Sequence, residues 1–449
     1  MRHRRTGPNR PGALRRMARL LGTLVVVAGA GTLPALFSVL RPDFRPDLLP
    51  AVSAQRPQPV RAFTGIRLFD GSGRPPIDNA TLVVRDGRVL AADRADRVQL
   101  PGDAERVPLT GKTVIPGLVN AHGHVNDPAR DLATYAAYGV TTVYSLGDEP
   151  DAAFAARQAQ GTPDLARSRV FLAGPVLDPA SEEAARAAVR TNKARGVDII
   201  KIRVDDNLGR SPKMAPAISR AVIDESHAQG LRTAVHLFYL DDAKAVLDAG
   251  ADLIAHSVRD VPVDEALVAQ MKRRNICLVP TLMREVSTFT YDATPAFFSD
   301  PQFVVHANAA WVAELSSAAS RARFTSSPSA ARYRAALDVA MRNLKRLHAG
   351  GVTIAMGTDT GPMGRFQGYF EWMELDLMMK AGLSPRDVLL AATRDAARCQ
   401  QIDREVGTLE AGKWADFLVL DADPLTDIRN IRRLNAVYVA GNPVSRVAR

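Results

Sequence analysis

Two histidines stand two positions apart in His122-Gly123-His124, where the apolar run VIPGLVNAHGHVN (residues 114–126) comes to its end. If that run is a strand, side chains two apart leave it on one face. Both imidazoles then emerge together, and Gly123 admits a close neighbour. Neutral imidazoles converging on one point suit a divalent metal; two polar histidines closing a strand are the plainer alternative. Similar groups recur in the same setting. Lys201 sits in DIIKIRV (198–204), His236 in RTAVHLF (232–238), His256 in ADLIAHSV (251–258), and Asp359 directly after VTIAMGT (352–358). A single buried histidine is commonly a hydrogen-bonded core residue, and Asp359, within Gly357-Thr358-Asp359-Thr360, has helix capping as its alternative. Lys201 is harder to dismiss. Ile199, Ile200 and Ile202 flank it, and a buried ammonium is costly unless paired or chemically altered. Four of the chain's eight histidines, one lysine and one aspartate at the ends of apolar runs point to a metal site.

The elements that must position these groups follow from the periodicity. Near-continuous apolar runs at 114–121, 139–146, 169–176, 198–204, 232–238, 251–258, 275–282 and 352–358 read as buried parallel strands. Amphipathic helical patterns separate them at 129–138, 181–196, 215–229, 241–249, 263–274 and 331–349. The expected fold class is therefore α/β, a (β/α)8 TIM barrel over residues 114–399, with an open doubly wound sheet as the alternative. Barrel enzymes place their chemistry at the carboxyl ends of the strands, where the six groups fall. Residues 284–329, rich in Phe, Tyr, Ser and Pro, read as an insertion after the seventh strand, either a lid or a surface elaboration. Further helices are expected at 366–381 and 385–399. Short β segments in 56–113 (64–69, 80–84, 88–91 and 113–115) and in 400–449 (416–420 and 436–440) are too few at either end to stand alone. They predict one small β-sandwich domain built from both segments.

Charge excludes one class of partner. Residues 1–61 hold eleven arginines against Asp43 and Asp47, a balance of +9 of the chain's +10. The remainder is near neutral, so the folded part is not expected to bind nucleic acid. The leader itself has the order of an export signal: an Arg-rich start through Arg15-Arg16, an apolar run from Leu20 to Leu40, then Val52-Ser53-Ala54. Residues 1–55 are expected to be a signal peptide that exports the chain to the periplasm or outside. The alternative is an uncleaved membrane anchor at residues 20–40. The two cysteines, Cys277 and Cys399, are distant and set no disulfide framework; Cys277, in an apolar run, is expected to be a buried free thiol.

Period 2 also puts Arg203 on the face of Lys201, where it can meet an anionic group on a small-molecule substrate; the alternative is an ion pair with Asp205 or Asp206. His306, in the insertion, is a second candidate substrate contact. His3, His227 and His348 read as surface or helix residues.

Taken together, VIPGLVNAHGH, GVTTVYSLG, DIIKI, TAVH, ADLIAHS, LVPTL and IAMGTDTG resemble the amidohydrolase superfamily. So does the tail, with LSPRDVLLAATRDAAR, VGTLEAGKWADFLVLDADPL and VYVAGNPV. The resemblance covers residues 62 to 445, and the wording is similar to the imidazolonepropionase-like and Xaa-Pro dipeptidase-like branch. Ala255 and Gln367 depart from that branch, where Glu and His are frequent, and bear on the substrate more than on the chemistry. The resemblance implies two divalent metal ions, zinc by preference, held by His122, His124, His236, His256 and Asp359, with Lys201 N-carboxylated as the bridging ligand. It implies attack of a metal-bridging hydroxide on a C–N bond (amide, dipeptide-like or cyclic amide), with Asp359 as general base and then acid. A mononuclear deaminase or lactonase is the alternative within enzymes, and a barrel kept as a non-catalytic scaffold the alternative outside them. A homo-oligomer is compatible with either.

Overall fold

In strand Ile77–Arg85 the continuously buried run from Ala80 to Val84 gives way to exposed Arg85 and then Asp86-Gly87. Both residues have positive φ (49° and 74°), and the chain returns as Arg88–Arg94. That is the two-residue hairpin that Asp-Gly favours. The computed structural model describes residues 58–445, so the leader, its apolar run at 20–40 and its cleavage or anchoring lie outside the described residues. The described residues belong to one unit, 56–449.

The hairpin joins an eight-stranded sheet whose order runs Asn442–Pro443, Leu434–Val439, Phe417–Leu420, Thr113–Pro116, Arg61–Leu68, Ile77–Arg85, Arg88–Arg94; Glu105–Pro108 pairs with Arg61–Leu68 off this path. Early and late segments do share one sheet, as their number required. The seam is antiparallel, with Val114 opposite Val419 and Pro116 opposite Phe417. Phe417 and Tyr438 stack at 4.5 Å, and Phe63 meets Phe417 edge-on at 4.9 Å. The buried Arg169–Asp416 ion pair, 2.8 Å, ties this sheet to the parallel strands, and the Asp416 carboxylate also accepts the Ala440 N–H.

From Leu118 the strands are parallel. Leu118–Gly123, Val140–Ser145 and Arg169–Leu172 form one sheet, and Ile200–Arg203, Thr233–His236, Leu253–Ile254 and Cys277–Leu278 another. A Leu177–Ile202 bridge joins the two on one side. The eighth apolar run forms no ladder of its own. Ile354 bridges Leu278, Thr360 bridges Gly123, and the Ala121 N–H donates to the Met356 carbonyl at 2.8 Å. Past Gly357 the backbone turns out of extended geometry, with φ of 58° at Asp359 and 122° at Gly361.

Period 2 sorts the side chains. Ile199, Ala234, Leu253, Ala255 and Val279 pack with Val119 and Ala121 on one face, while Ile200, Ile202, Val235, Ile254 and Leu278 pack toward the helices on the other. Lys201 shares the face of Ile199, and His236 that of Ala234. The expected helices are present with small shifts, among them Pro128–Ala137, Glu182–Arg195, Pro216–Ala228 and Pro328–Ala349. Helix 385–399 is divided at Ala392-Thr393, where the Thr393 hydroxyl donates back to the Leu389 carbonyl. Asp151–Gln158 is an additional helix, and the insertion is largely short helices rather than irregular chain. Among the described residues no helix is long and apolar enough to cross a membrane.

The expectation of a free thiol at Cys277 is corrected: Cys277 and Cys399 form a disulfide, with Cα atoms 5.9 Å apart. The apolar neighbours do bury Cys277, but its partner arrives on the helix Arg394–Cys399, a tertiary contact that no local pattern encodes. The bond closes 122 residues of chain. The chain-entropy argument for a loop of that length gives about 4–5 kcal/mol. Cys399→Ser is expected to lower the unfolding free energy by about 3–5 kcal/mol in denaturant titration under oxidising conditions. Equal stability of the variant and the oxidised parent would show that the bond constrains nothing.

Candidate metal centre

His122 leaves the end of Leu118–Gly123, where the pairing to Val140–Ser145 shifts register between Asn120 and Gly123. The position demands glycine at 123, since a Cβ there would lie 2.6 Å from the Tyr135 hydroxyl and 2.9 Å from Asn120 Nδ2. The Asn120 side-chain carbonyl accepts the His122 N–H at 2.9 Å, and its amide donates to buried Glu371 at 2.6 Å. Glu371 also accepts the hydroxyls of Thr358 and Thr360 at 2.8 and 2.7 Å. One carboxylate in the helix Tyr369–Lys380 thus grips both the strand that carries His122 and the two threonines flanking Asp359.

The six residues are brought together. His122 and His256 are almost fully buried, with ring centroids 4.7 Å apart; His236 lies 4.0 Å from His256, and His124 lies 5.6 Å from His122. Asp359 Oδ1 is 2.8 Å from His124 Nε2 and 3.4 Å from His122 Nε2. Lys201 Nζ is 3.4 Å from His122 Nε2. Ligand atoms of His122, His256 and Asp359 all lie within 4.8 Å of one another.

Each ring is held from behind. His122 Nδ1 bonds the Ala255 carbonyl at 2.8 Å, His124 Nδ1 the Gly147 carbonyl at 3.2 Å, and His256 Nδ1 the Thr281 hydroxyl at 2.7 Å. His236 is anchored the other way round, through Nε2 to Asp205 at 3.1 Å, so a neutral ring keeps Nδ1 as its acceptor. Carbonyls and carboxylates behind imidazoles are the usual outer partners of metal ligands. His256 Nε2 is buried with no hydrogen-bond partner. A buried, oriented lone pair of this kind is what a cation satisfies, so the donor set fits a divalent metal.

The electrostatics agree. Burial, with the Lys201 charge adding to it, pushes His122 well below the usual histidine range; burial brings His236 down to about 3 and also lowers His256. The rings are therefore neutral and able to ligate at pH 7. Burial lowers Lys201 to about 7, so a large share of the amine is neutral. For Asp359 burial opposes ionisation, but the Arg365 guanidinium, with the hydrogen bond to His124, outweighs it and holds the carboxyl well below the carboxylate range.

Arg203 Nε donates to Asp205 at 2.8 Å, the ion pair foreseen as its alternative, and the other Asp205 oxygen bonds His236. His306 lies elsewhere. It meets Tyr138 edge-on and lines a cavity of about 780 Å³ between the helix Pro128–Ala137 and residues Phe303–Trp311. None of the six clustered residues lines that cavity. Asn120, Thr281 and Glu371 were not anticipated, nor was Asp205 as a partner of His236. Glu371 carried a signal, since it and Glu374 are acidic residues three apart within the apolar stretch that opens the helix YFEWMELDLMMK.

Comparison with known proteins adds the following. A sequence profile of the amidohydrolase family matches residues 113–444. An uncharacterized protein of Mycobacterium tuberculosis is 27% identical over 236 residues, covering 47% of this chain and 60% of that protein. The ochratoxinase of Aspergillus niger is 26% identical over 274 residues, covering 59% of this chain and 49% of that enzyme. The chain thus matches about half the length of these curated relatives. Among solved structures, a Bifidobacterium longum protein classed as a candidate prolidase superposes with a TM-score of 0.70 at 27% identity, covering 86% of this chain and 94% of that one.

Proposed function

The chain belongs to the amidohydrolase family, and on that footing we propose that it is a metal-dependent hydrolase of carbon–nitrogen bonds in small molecules. The observation that carries the proposal is the buried meeting of His122, His256 and Asp359 within 4.8 Å, with His256 Nε2 otherwise unpartnered. In this reading the parallel strands and the 352–360 segment close as a (β/α)8 barrel, with the mixed sheet as its small β-sandwich domain. His122, His124, His236, His256 and Asp359, together with an N-carboxylated Lys201, would hold two divalent ions, zinc by preference. When bound, such ions lower the pKa of a water toward neutrality and polarise a carbonyl.

The protein's own groups do the rest. Asp359 is ionised and lies against His124, in place to take a proton from the attacking water. It then returns that proton to the leaving nitrogen, so no protein nucleophile is needed. The Ala255 carbonyl, Thr281 and Asp205 fix the ring orientations, and Glu371 fixes the loop that carries Asp359. The three-residue cluster of His122, His256 and Asp359 also supports a second reading, a mononuclear centre acting as a deaminase or lactonase. Export to an oxidising compartment is supported by the Cys277–Cys399 disulfide.

Metal analysis of the purified protein, run beside a screen of N-acyl amino acids, Xaa-Pro dipeptides, cyclic amides and lactones, tests the proposal. Two ions per chain with amide turnover is the expected result. One ion with deamination or lactone opening supports the second reading. A protein that binds no metal and turns over no member of the panel overturns both.

A further inference from the structure

Thr281 holds the ring of His256, yet a threonine in its place has another use for its hydroxyl. It directly precedes the short helix Leu282–Val286, where a threonine oxygen ordinarily accepts an N–H of the first turn. Here the side chain caps nothing. The first two N–H groups go instead to a carboxylate from a remote helix. Leu282 N–H donates to Glu374 Oε1 at 2.8 Å, and Met283 N–H donates to Glu374 Oε2 at 2.7 Å. Thr281 Oγ1 is thereby left to meet His256 Nδ1 at 2.7 Å. The backbone shows the same constraint. Thr281 has φ 50° and ψ 48°, a left-handed conformation that β-branched residues rarely adopt and that persists only where the surroundings impose it. Glu374 holds the turn from one side. From the other, the Pro280 carbonyl accepts the N–H and the hydroxyl of Ser257 at 3.3 and 3.1 Å.

Glu374 is fully buried, and each of its oxygens takes one of the two N–H groups. Burial of a carboxylate is costly, and the helix already has a threonine in the capping position. What the carboxylate adds is a hydroxyl free to face His256. Glu371 stands three residues earlier on the same helix, Tyr369–Lys380, and so on the same side of it. One helix thus reaches both the His122 and Asp359 side of the cluster, through Glu371, and the His256 side, through Glu374. We propose that Glu374 is a positioning residue of the metal centre: by capping Leu282–Val286 in place of Thr281, it frees the threonine hydroxyl to fix the His256 ring with Nε2 presented to the metal. With Nδ1 engaged as donor, a neutral ring keeps its lone pair on Nε2, the atom that is buried without a hydrogen-bond partner. The role rests on the metal-centre part of the reading above, not on the bond that is cut.

Zinc affinity of the purified full-length chain, measured by competition with a chromophoric chelator, tests the role. The absorption spectrum of the cobalt(II) form reports ligand geometry beside it. In Glu374→Gln one helix N–H faces the amide NH2 whichever way the amide turns, so the Thr281 hydroxyl is drawn back to the helix. Zinc is expected to bind about 10–100-fold more weakly, as on loss of a group behind a metal-bound imidazole, and the cobalt bands to shift. Thr281→Val should lose affinity to a similar extent, and Thr281→Ser should keep it. The double variant should bind no more weakly than Thr281→Val alone, because the carboxylate acts through the hydroxyl. Glu374→Asp keeps the charge on a shorter arm; it should fall between parent and Gln variant, and it replaces the Gln variant in the same cycle if that protein does not fold. Losses that multiply in the double variant overturn the role. So does a Glu374 variant that unfolds more easily yet binds zinc like the parent, since the carboxylate then only caps a helix. A wild type that binds no zinc overturns the role together with the metal centre. Tight zinc binding with the expected variant pattern, but no turnover of any amide in the panel, supports the role and counts against the hydrolase reading.

Discussion

Asp359→Asn is expected to lower kcat by about 10²–10⁴-fold while most of the metal stays bound. The amide keeps the size and most of the shape of the carboxylate, and four imidazoles and Lys201 remain around the centre. What disappears is the basic oxygen. In the parent that oxygen is ionised at neutral pH because Arg365, with the hydrogen bond to His124, outweighs the cost of burial. An asparagine cannot accept a proton from water or hand one to a leaving amine. Metal content by mass spectrometry and kcat on the best substrate from the screen separate the two roles. A variant that retains metal and near-parental kcat would remove Asp359 from proton transfer. One that loses all metal would make it chiefly a ligand.

Lys201→Met is expected to reduce the metal from two ions per chain to one and to cost activity on the order of 10²-fold or more. Methionine fills a similar volume on the face that Lys201 shares with Ile199, without a nitrogen, so the fold has no reason to change. Added acetate or propionate should restore part of the lost activity by standing in for the missing carboxylate. The pH dependence has a definite sign. Carbon dioxide adds to the neutral amine, R–NH2 + CO2 giving R–NHCOO⁻ and a proton, and the ammonium form is inert. With Lys201 lowered to about 7 by burial, reactivation of metal-stripped enzyme by zinc and bicarbonate should rise through about pH 7 and level off above about 8. An exposed lysine would show that rise only near its ordinary value, above about 10. A flat profile, or a Lys201→Met protein that still binds two ions, would remove Lys201 from the centre.

Much of this arrangement was legible in the order of residues because parallel strands write their position as uninterrupted apolar runs. A charged or metal-binding group at the end of such a run stands out against them. Lys201 is the clearest case, since isoleucines on both sides leave few ordinary explanations for its burial. The six groups also share the logic of the fold, as each closes its run on the side where the loops begin. The partners behind them were not legible. Asp205 supports His236, Thr281 supports His256 and Glu371 supports Asp359 through contacts between remote segments. The Cys277–Cys399 bond is hidden for the same reason.

The mixed sheet also dictates when the active centre can exist. Thr113–Pro116 leads directly into the strand that carries His122, and its partner across the seam is Phe417–Leu420. While the chain is emerging from the ribosome, Val114 waits for Val419 to be made. The root of the histidine strand is therefore closed only after synthesis has passed the barrel strands. Pairing across so long an interval is slow, because the loop must close before the contact repays it. A chain released before Phe417–Leu420 is made carries the histidine strand without the seam that roots it.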